Sequence, residues 1–243
     1  MRKIIFRLCF SLIAIAAVGG FCHMTWAMMN APKPNEDGCL PGNRPRHNVL
    51  LVDSSDPIAG RELGDVVKLM SEIVAETEVN ERFSLLFIGD GVSGYLTEVV
   101  TFCKLGSGGV IYQERQLAAL LEEPMAALRG LEKSVLARSP IIEAIEMLLN
   151  RRAIFDAEDV RLWVVSDFLF NSRVSIYPGS SRHWKPNPEE LPEPPLPPQG
   201  RFHEVRLAMV QRVKFSHLQE QALPFFLAYF GQYSEESPKW ELF

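Results

Sequence analysis

The sequence predicts an α/β protein built on a doubly wound open sheet with one antiparallel edge strand. Short apolar runs of strand length alternate with stretches whose apolar residues recur at helical spacing. One early pair of strands is joined by a link too short for a crossover helix, which makes the pair a hairpin. Asp53, Ser55, Ser139 and Asp167 stand just past apolar runs or at the mouth of a helix, where the loops of such a sheet converge.

The head of the chain is set apart from this fold. Arg2, Lys3 and Arg7 precede an uncharged apolar stretch from Leu8 to about Phe21, followed by Thr25, Trp26 and Ala27, the pattern of an export signal. Small residues at Thr25 and Ala27 suit cleavage of residues 1–27 as a signal peptide, while the uncharged stretch is also long enough for an uncleaved signal anchor. Both alternatives carry the remainder outside the cytoplasm, to a periplasmic or extracellular place, anchored in the inner membrane if uncleaved. Residues 28–46 are rich in Pro and Gly and read as an extended tether.

The domain itself covers residues 47–243. His47 to Val52 is expected to be a central strand buried on both faces. Asp56-Pro57 reads as the cap and first turn of a helix carrying Leu63, Val66, Val67, Met70, Ile73 and Val74. Phe83 to Ile88 and Glu98 to Phe102 form the hairpin around Gly89-Asp90-Gly91-Val92-Ser93-Gly94. That string has the glycine spacing of a dinucleotide fingerprint, but a strand follows it where a pyrophosphate site needs a helix, so it is a turn. Gln113 to Lys133 is a leucine-rich helix that Pro124 should split or kink. Ser139 is followed by Pro140 and reads as the N-cap of a helix with Ile141, Ile145, Leu148 and Leu149 on one side. Val160 to Ser166 is the fourth strand and Val205 to Val210 the fifth. A last helix gathers Leu218, Ala222, Phe225, Phe226, Tyr229 and Phe230 around an interior Pro224.

Residues 168–202 are a long insertion between the last two strands, Pro-rich in its second half and therefore extended there. Its first half brings Phe168, Phe170, Tyr177 and Trp184 directly after Asp167. These aromatics are expected either to form a partner-binding surface beside the loops or to fold back as a lid.

Composition narrows the function. A net charge of -5 offers no basic footprint for nucleic acid, and five scattered histidines lack the paired spacing of a zinc site. Of four cysteines, Cys9 and Cys22 fall in the export segment, which leaves Cys39 and Cys103 as a disulfide or as two buried thiols.

In order and spacing, Asp53, Ser55, Ser139 and Asp167 resemble the metal-ion-dependent adhesion site of the von Willebrand factor A domain. That family carries Asp-x-Ser-x-Ser after its first strand, a Thr before a later helix and an Asp after the fourth strand. The resemblance spans roughly residues 47–231. It implies that Asp53 and Ser55 open the ligand set, that Ser139 takes the place of the Thr, and that Asp167 completes it. Pro57 replaces the final Ser of the first motif, so the site resembles a degenerate one, with weak binding of Mg²⁺ or Mn²⁺. In the same family the third strand runs antiparallel, which puts Cys39 and Cys103 at the sheet edge opposite these loops and favours their disulfide.

The function this implies is an exported protein-binding or adaptor module, not an enzyme, that docks an envelope or extracellular protein. A carboxylate from that partner would complete the metal. The chain would touch a membrane only through an N-terminal anchor, and nucleic acid not at all. Two alternatives stand beside it. One is a structural member of an envelope assembly with no metal role. The other is a metal-dependent hydrolase of phosphate esters, which lacks a general base and a phosphate-clamping Lys or Arg in the three loops. Because the rim is like-charged, Asp53→Ala is expected to leave the fold intact.

Overall fold

Along β1 (His47–Asp53) every residue is buried, and the strand's alternation divides its side chains between two cores. Val49 and Leu51 enter one apolar layer, Leu50 and Val52 the other. The computed structural model describes residues 18–26, 29–30, 33–35, 38–40, 46–58, 60–89, 94–104, 106, 110–133, 139–169 and 202–243. After β1 the chain forms α1 (Arg61–Glu76), β2 (Arg82–Ile88), β3 (Leu96–Cys103), α2 (Val110–Gly130), α3 (Ile141–Leu149), a short α4 (Arg152–Phe155), β4 (Val160–Ser166), β5 (Glu204–Met209), α5 (Ser216–Gly231) and β6 (Lys239–Leu242).

The sheet has six strands in the order β3-β2-β1-β4-β5-β6, all parallel except β3. That is a doubly wound, von Willebrand factor A-like arrangement. One core packs Leu63, Val66, Met70, Ile73 and Val74 of α1, with Leu128 of α2, on one face of the sheet. The other packs Ile141, Ile145 and Leu148 of α3 and an aromatic ridge of α5 on the opposite face. In that ridge Phe225 and Phe226 meet edge to face at 5.4 Å, and Tyr229 meets Tyr233 at 5.3 Å.

Several elements differ from what local signals predict. α1 starts at Arg61, not at Asp56-Pro57, and its cap is Gly60 in a left-handed conformation with no side-chain cap bond. The preceding loop is spent on tertiary bonds: Ser54 Oγ donates to Ile88 O at 2.7 Å and the Ile58 N–H to Leu131 O at 3.2 Å. Pro124 does not split its helix; α2 runs from Val110 to Gly130 with the proline inside. Pro224 likewise lies within α5, on its exposed side, where water can satisfy the carbonyl its missing N–H leaves behind. Both ends of the insertion are anchored in the domain: Phe168 and Leu169 are buried, and Phe202 is buried and bridges to Ser234.

The N-terminal edge of the sheet is tied by covalent and polar links. Cys39 and Cys103 are joined in a disulfide with their Cα atoms 5.0 Å apart, and Cys103 pairs with Arg82 at the start of β2, so the bond lies at the edge opposite the loops that follow β1 and β4. Beside it a polar chain crosses three strands, from Thr101 to Ser84 at 2.6 Å and from Ser84 to His47 Nε2 at 2.8 Å. The ring's other nitrogen faces Ala153 O at 3.4 Å, so the neutral tautomer that donates there takes the Ser84 hydroxyl proton at Nε2. Residues 18–26 are helical, and among the described residues no helix is long and apolar enough to cross a membrane.

The disulfide closes a stretch with a sequence separation of 64. In the chain-entropy account, a closure of that size stabilises the folded state by about 4 kcal/mol, less any strain. Urea unfolding of the full chain should show a loss of that order on reduction, and a Cys39→Ser variant should match the reduced protein.

Candidate functional site

In an open parallel sheet, neighbouring crossovers that leave in opposite directions open a crevice at the strand ends. Here β1 lies between β2 and β4, so that place is the rim where Asp53 ends β1 and Asp167 follows β4. Three of the four residues predicted from sequence meet directly around Asp53. Its Oδ1 accepts the Ser55 N–H at 2.9 Å, and its Oδ2 accepts the Ser139 hydroxyl at 2.8 Å. A fourth group, absent from the sequence reading, joins them: Ser166 Oγ donates to the same Oδ2 at 2.8 Å. Ser139 is therefore not the N-cap of α3, whose cap position is Pro140 without a side-chain bond. Asp53 draws the hydroxyl away from that local role because a buried carboxylate left without donors is costly.

Asp167 stands on the same rim but faces other partners. Its Oδ1 accepts the Leu169 N–H at 2.9 Å, and its Oδ2 accepts Nε of Arg212 at 3.2 Å. Burial pushes its carboxyl from the ordinary 3.8 up to about 7, and the charge of Asp53 adds to that push, while the Leu169 amide and Arg212 pull it back. Arg212 holds it only in part because the guanidinium also pairs with Glu62 at 3.2 Å.

Arg212, like Ser166, is a residue that sequence reasoning missed. It lies in a fourth loop, after β5, outside the three that carry the motif. From there Nε reaches Asp167, one terminal nitrogen reaches Glu62 in the first turn of α1, and the other donates to Pro57 O at 3.0 Å. Gln219 of α5, buried, sets the geometry: it accepts the Arg212 N–H at 2.9 Å and donates to Asp167 O at 2.9 Å and Val210 O at 2.8 Å. A signal for Arg212 was present, since a charged residue just past an apolar strand is the same cue that singles out Asp53 and Asp167.

Phe168 corrects a second expectation. It is 0% exposed, with its ring 4.9 Å from that of Phe226, and so it cannot serve as a surface aromatic. Its backbone is left-handed at φ 57, unusual for a bulky residue, and its N–H is held by Ser166 Oγ at 2.9 Å. That bend sends Asp167 to the rim and Phe168 into the core of α3 and α5. Phe170, Tyr177 and Trp184 lie outside the described residues.

A resident Mg²⁺ or Mn²⁺ does not fit this arrangement. Each carboxylate oxygen of Asp53 and Asp167 already accepts a protein donor, and the guanidinium lies against Asp167 where an incoming cation would meet like charge. Among the described residues there is also no cluster of three or more His, Cys, Asp or Glu side chains able to hold a metal.

No known family model matches the chain, and no curated protein matches it. Among solved structures, the human COPII-coat protein Sec24c is similar over 82% of this chain and 30% of that one, with 12% identity and a TM-score of 0.42. The chain thus spans about a third of the length of that protein, and the fold assignment rests on strand order and direction.

Two expected outcomes follow from the network. Asp53→Ala should be destabilising, contrary to the expectation from the like-charged rim, because it strands two buried hydroxyls and an amide; a loss of about 3 kcal/mol in chemical denaturation is expected, and less for Asp53→Asn.

The pH dependence combines Asp167 with His47, which burial lowers from 6.5 to about 3, with Arg82 adding to the shift. For His47 the unfolded chain binds more protons between those values, so its contribution is full above 6.5 and is lost as pH falls toward 3. For Asp167 the folded chain binds more protons, so stability is lost as pH rises from 3.8 to about 7. These slopes oppose each other across the shared window, each at up to about 1.4 kcal/mol per pH unit. Asp167→Asn should therefore unmask the His47 slope, making stability rise with pH between 3.8 and 6.5 more steeply than in the unaltered protein. Urea midpoints measured across that range check it.

Proposed function

We propose that the chain is a non-catalytic protein-docking module, carried outside the cytoplasm, that meets its partner at the rim formed by the ends of β1, β4, β5 and β6. The observation that carries this reading is the pairing of a rigid polar platform with exposed apolar side chains on the same edge. Val213, next to Arg212, is 83% exposed, and Leu242, which ends the parallel strand β6, is 54% exposed. Apolar side chains displayed beside a pre-organised polar network are the usual composition of a docking surface. Export is argued from the charged and apolar head, and the docking role from the resemblance to von Willebrand factor A domains.

The hydrolase alternative finds less support. A water nucleophile held by metal on Asp53 and Asp167 would need carboxylate oxygens that are engaged with Ser55, Ser139, Ser166, Leu169 and Arg212. Arg212 is bound to carboxylates of its own chain instead of facing open space.

A photo-reactive amino acid at Val213 of the full chain tests the reading, with Arg152 on the opposite edge as the control position. A discrete adduct to one envelope protein is expected from Val213, weakened by Leu242→Asp, and none from Arg152. Equal labelling from both positions would point to incidental contact. Turnover of phosphate esters that requires Mg²⁺ and is lost in Asp53→Asn would replace the docking reading with the enzymatic one.

A further inference from the structure

A rim that resembles a divalent-cation site but lacks one hydroxyl ligand has to hold its carboxylates together some other way, and three observations converge on how. The guanidinium of Arg212 bonds to Pro57 O, Glu62 and Asp167, which belong to the loop after β1, the first turn of α1 and the segment after β4. Pro57 is also the position where the resembled motif would supply its last serine. The residue that cannot ligate a metal through its side chain instead offers its carbonyl to a cationic side chain. Finally, the guanidinium is seated by a buried amide, since Gln219 binds the backbone of both Arg212 and Asp167.

We infer that the guanidinium of Arg212 stands in for the divalent cation at this rim, so that the rim is assembled without a metal. A planar fork with donors in fixed directions can bridge two carboxylates and a carbonyl at once, which a lysine could not do with the same geometry. The side chain is 23% exposed, so the charge is held at the surface end of the crevice and not sealed in the core. Asp53, deeper in the rim, needs no cation, because Ser55, Ser139 and Ser166 already supply its donors. The inference concerns what holds the rim and does not depend on what docks there, so the cross-linking result and the metal result can fail independently.

Removing the guanidinium should leave Asp167 Oδ2, Glu62 Oε2 and the Pro57 carbonyl to hold a cation in its place. The test is Mn²⁺ binding to the full chain, read from the loss of the free-ion electron paramagnetic resonance signal, together with melting in Mg²⁺ and in chelator. The unaltered protein should leave the Mn²⁺ signal unchanged and melt identically with and without chelator. Arg212→Ala should melt lower in chelator, bind Mn²⁺ at least about tenfold more tightly than the unaltered protein, and regain part of its melting temperature with the ion. Adding Asp167→Asn to that variant should abolish the gain. Arg212→Gln, which keeps an N–H donor for Pro57 O but no charge, serves if Arg212→Ala does not fold, and should also gain Mn²⁺. The inference is overturned if the unaltered protein binds Mn²⁺ as tightly as the variants and loses it with Asp167→Asn, or if the folded variants bind none.

Discussion

A carboxylate buried at the end of a central strand has lost its water and must be matched donor by donor, and the rim of this protein is organised around that requirement at Asp53. The donors come from three places: the Ser55 amide in its own loop, the Ser139 hydroxyl ahead of α3, and the Ser166 hydroxyl that ends β4. Each bond also fixes a chain direction. Ser139 is drawn under the rim instead of capping its helix, and Ser166 is placed to catch the Phe168 amide and support a left-handed turn. Satisfaction of one charge thus positions the starts and ends of several elements whose apolar faces then pack on the sheet.

The second carboxylate, Asp167, could not be added beside Asp53 without a compensating cation or proton. Both kinds of relief are visible. Its proton affinity is raised to about 7 by burial and by Asp53, and Arg212 is brought against it from the far side of β5. The guanidinium is aimed by Gln219, an uncharged residue of α5 whose role is to bind three backbone groups and so fix two loops relative to each other.

At the opposite edge the problem is the reverse. At the strand starts Arg46 pairs with Glu81 and Asp159, and His47 is kept neutral by burial within a chain of hydroxyls. There the closure is covalent, through Cys39 and Cys103, and it ties the segment ahead of β1 to the antiparallel edge strand. One edge of the sheet is therefore clamped for stability, while the other carries the polar network and the exposed Val213 and Leu242.

Apart from the short α4, the sequence by itself determined the strand and helix order from β1 through α5, because an apolar run such as Val49 to Val52 and a helical stripe such as that of α1 are local patterns that burial on two faces demands. It also placed Asp53 and Asp167 at one rim, since both follow strands that a doubly wound sheet makes parallel. It did not show β6, four residues with alternating charge whose strand character comes only from pairing with β5. Nor did it show α4, a single turn with little pattern of its own. Only the tertiary structure decided the partners of the charges. Ser139 reaches Asp53 across a sequence separation of 86, Ser166 across 113, and Arg212 reaches Pro57 across 155. No spacing rule connects residues so far apart. What joins them is the cost of leaving a buried carboxylate unmatched, which is set by the environment that the completed sheet creates and not by any stretch of chain on its own.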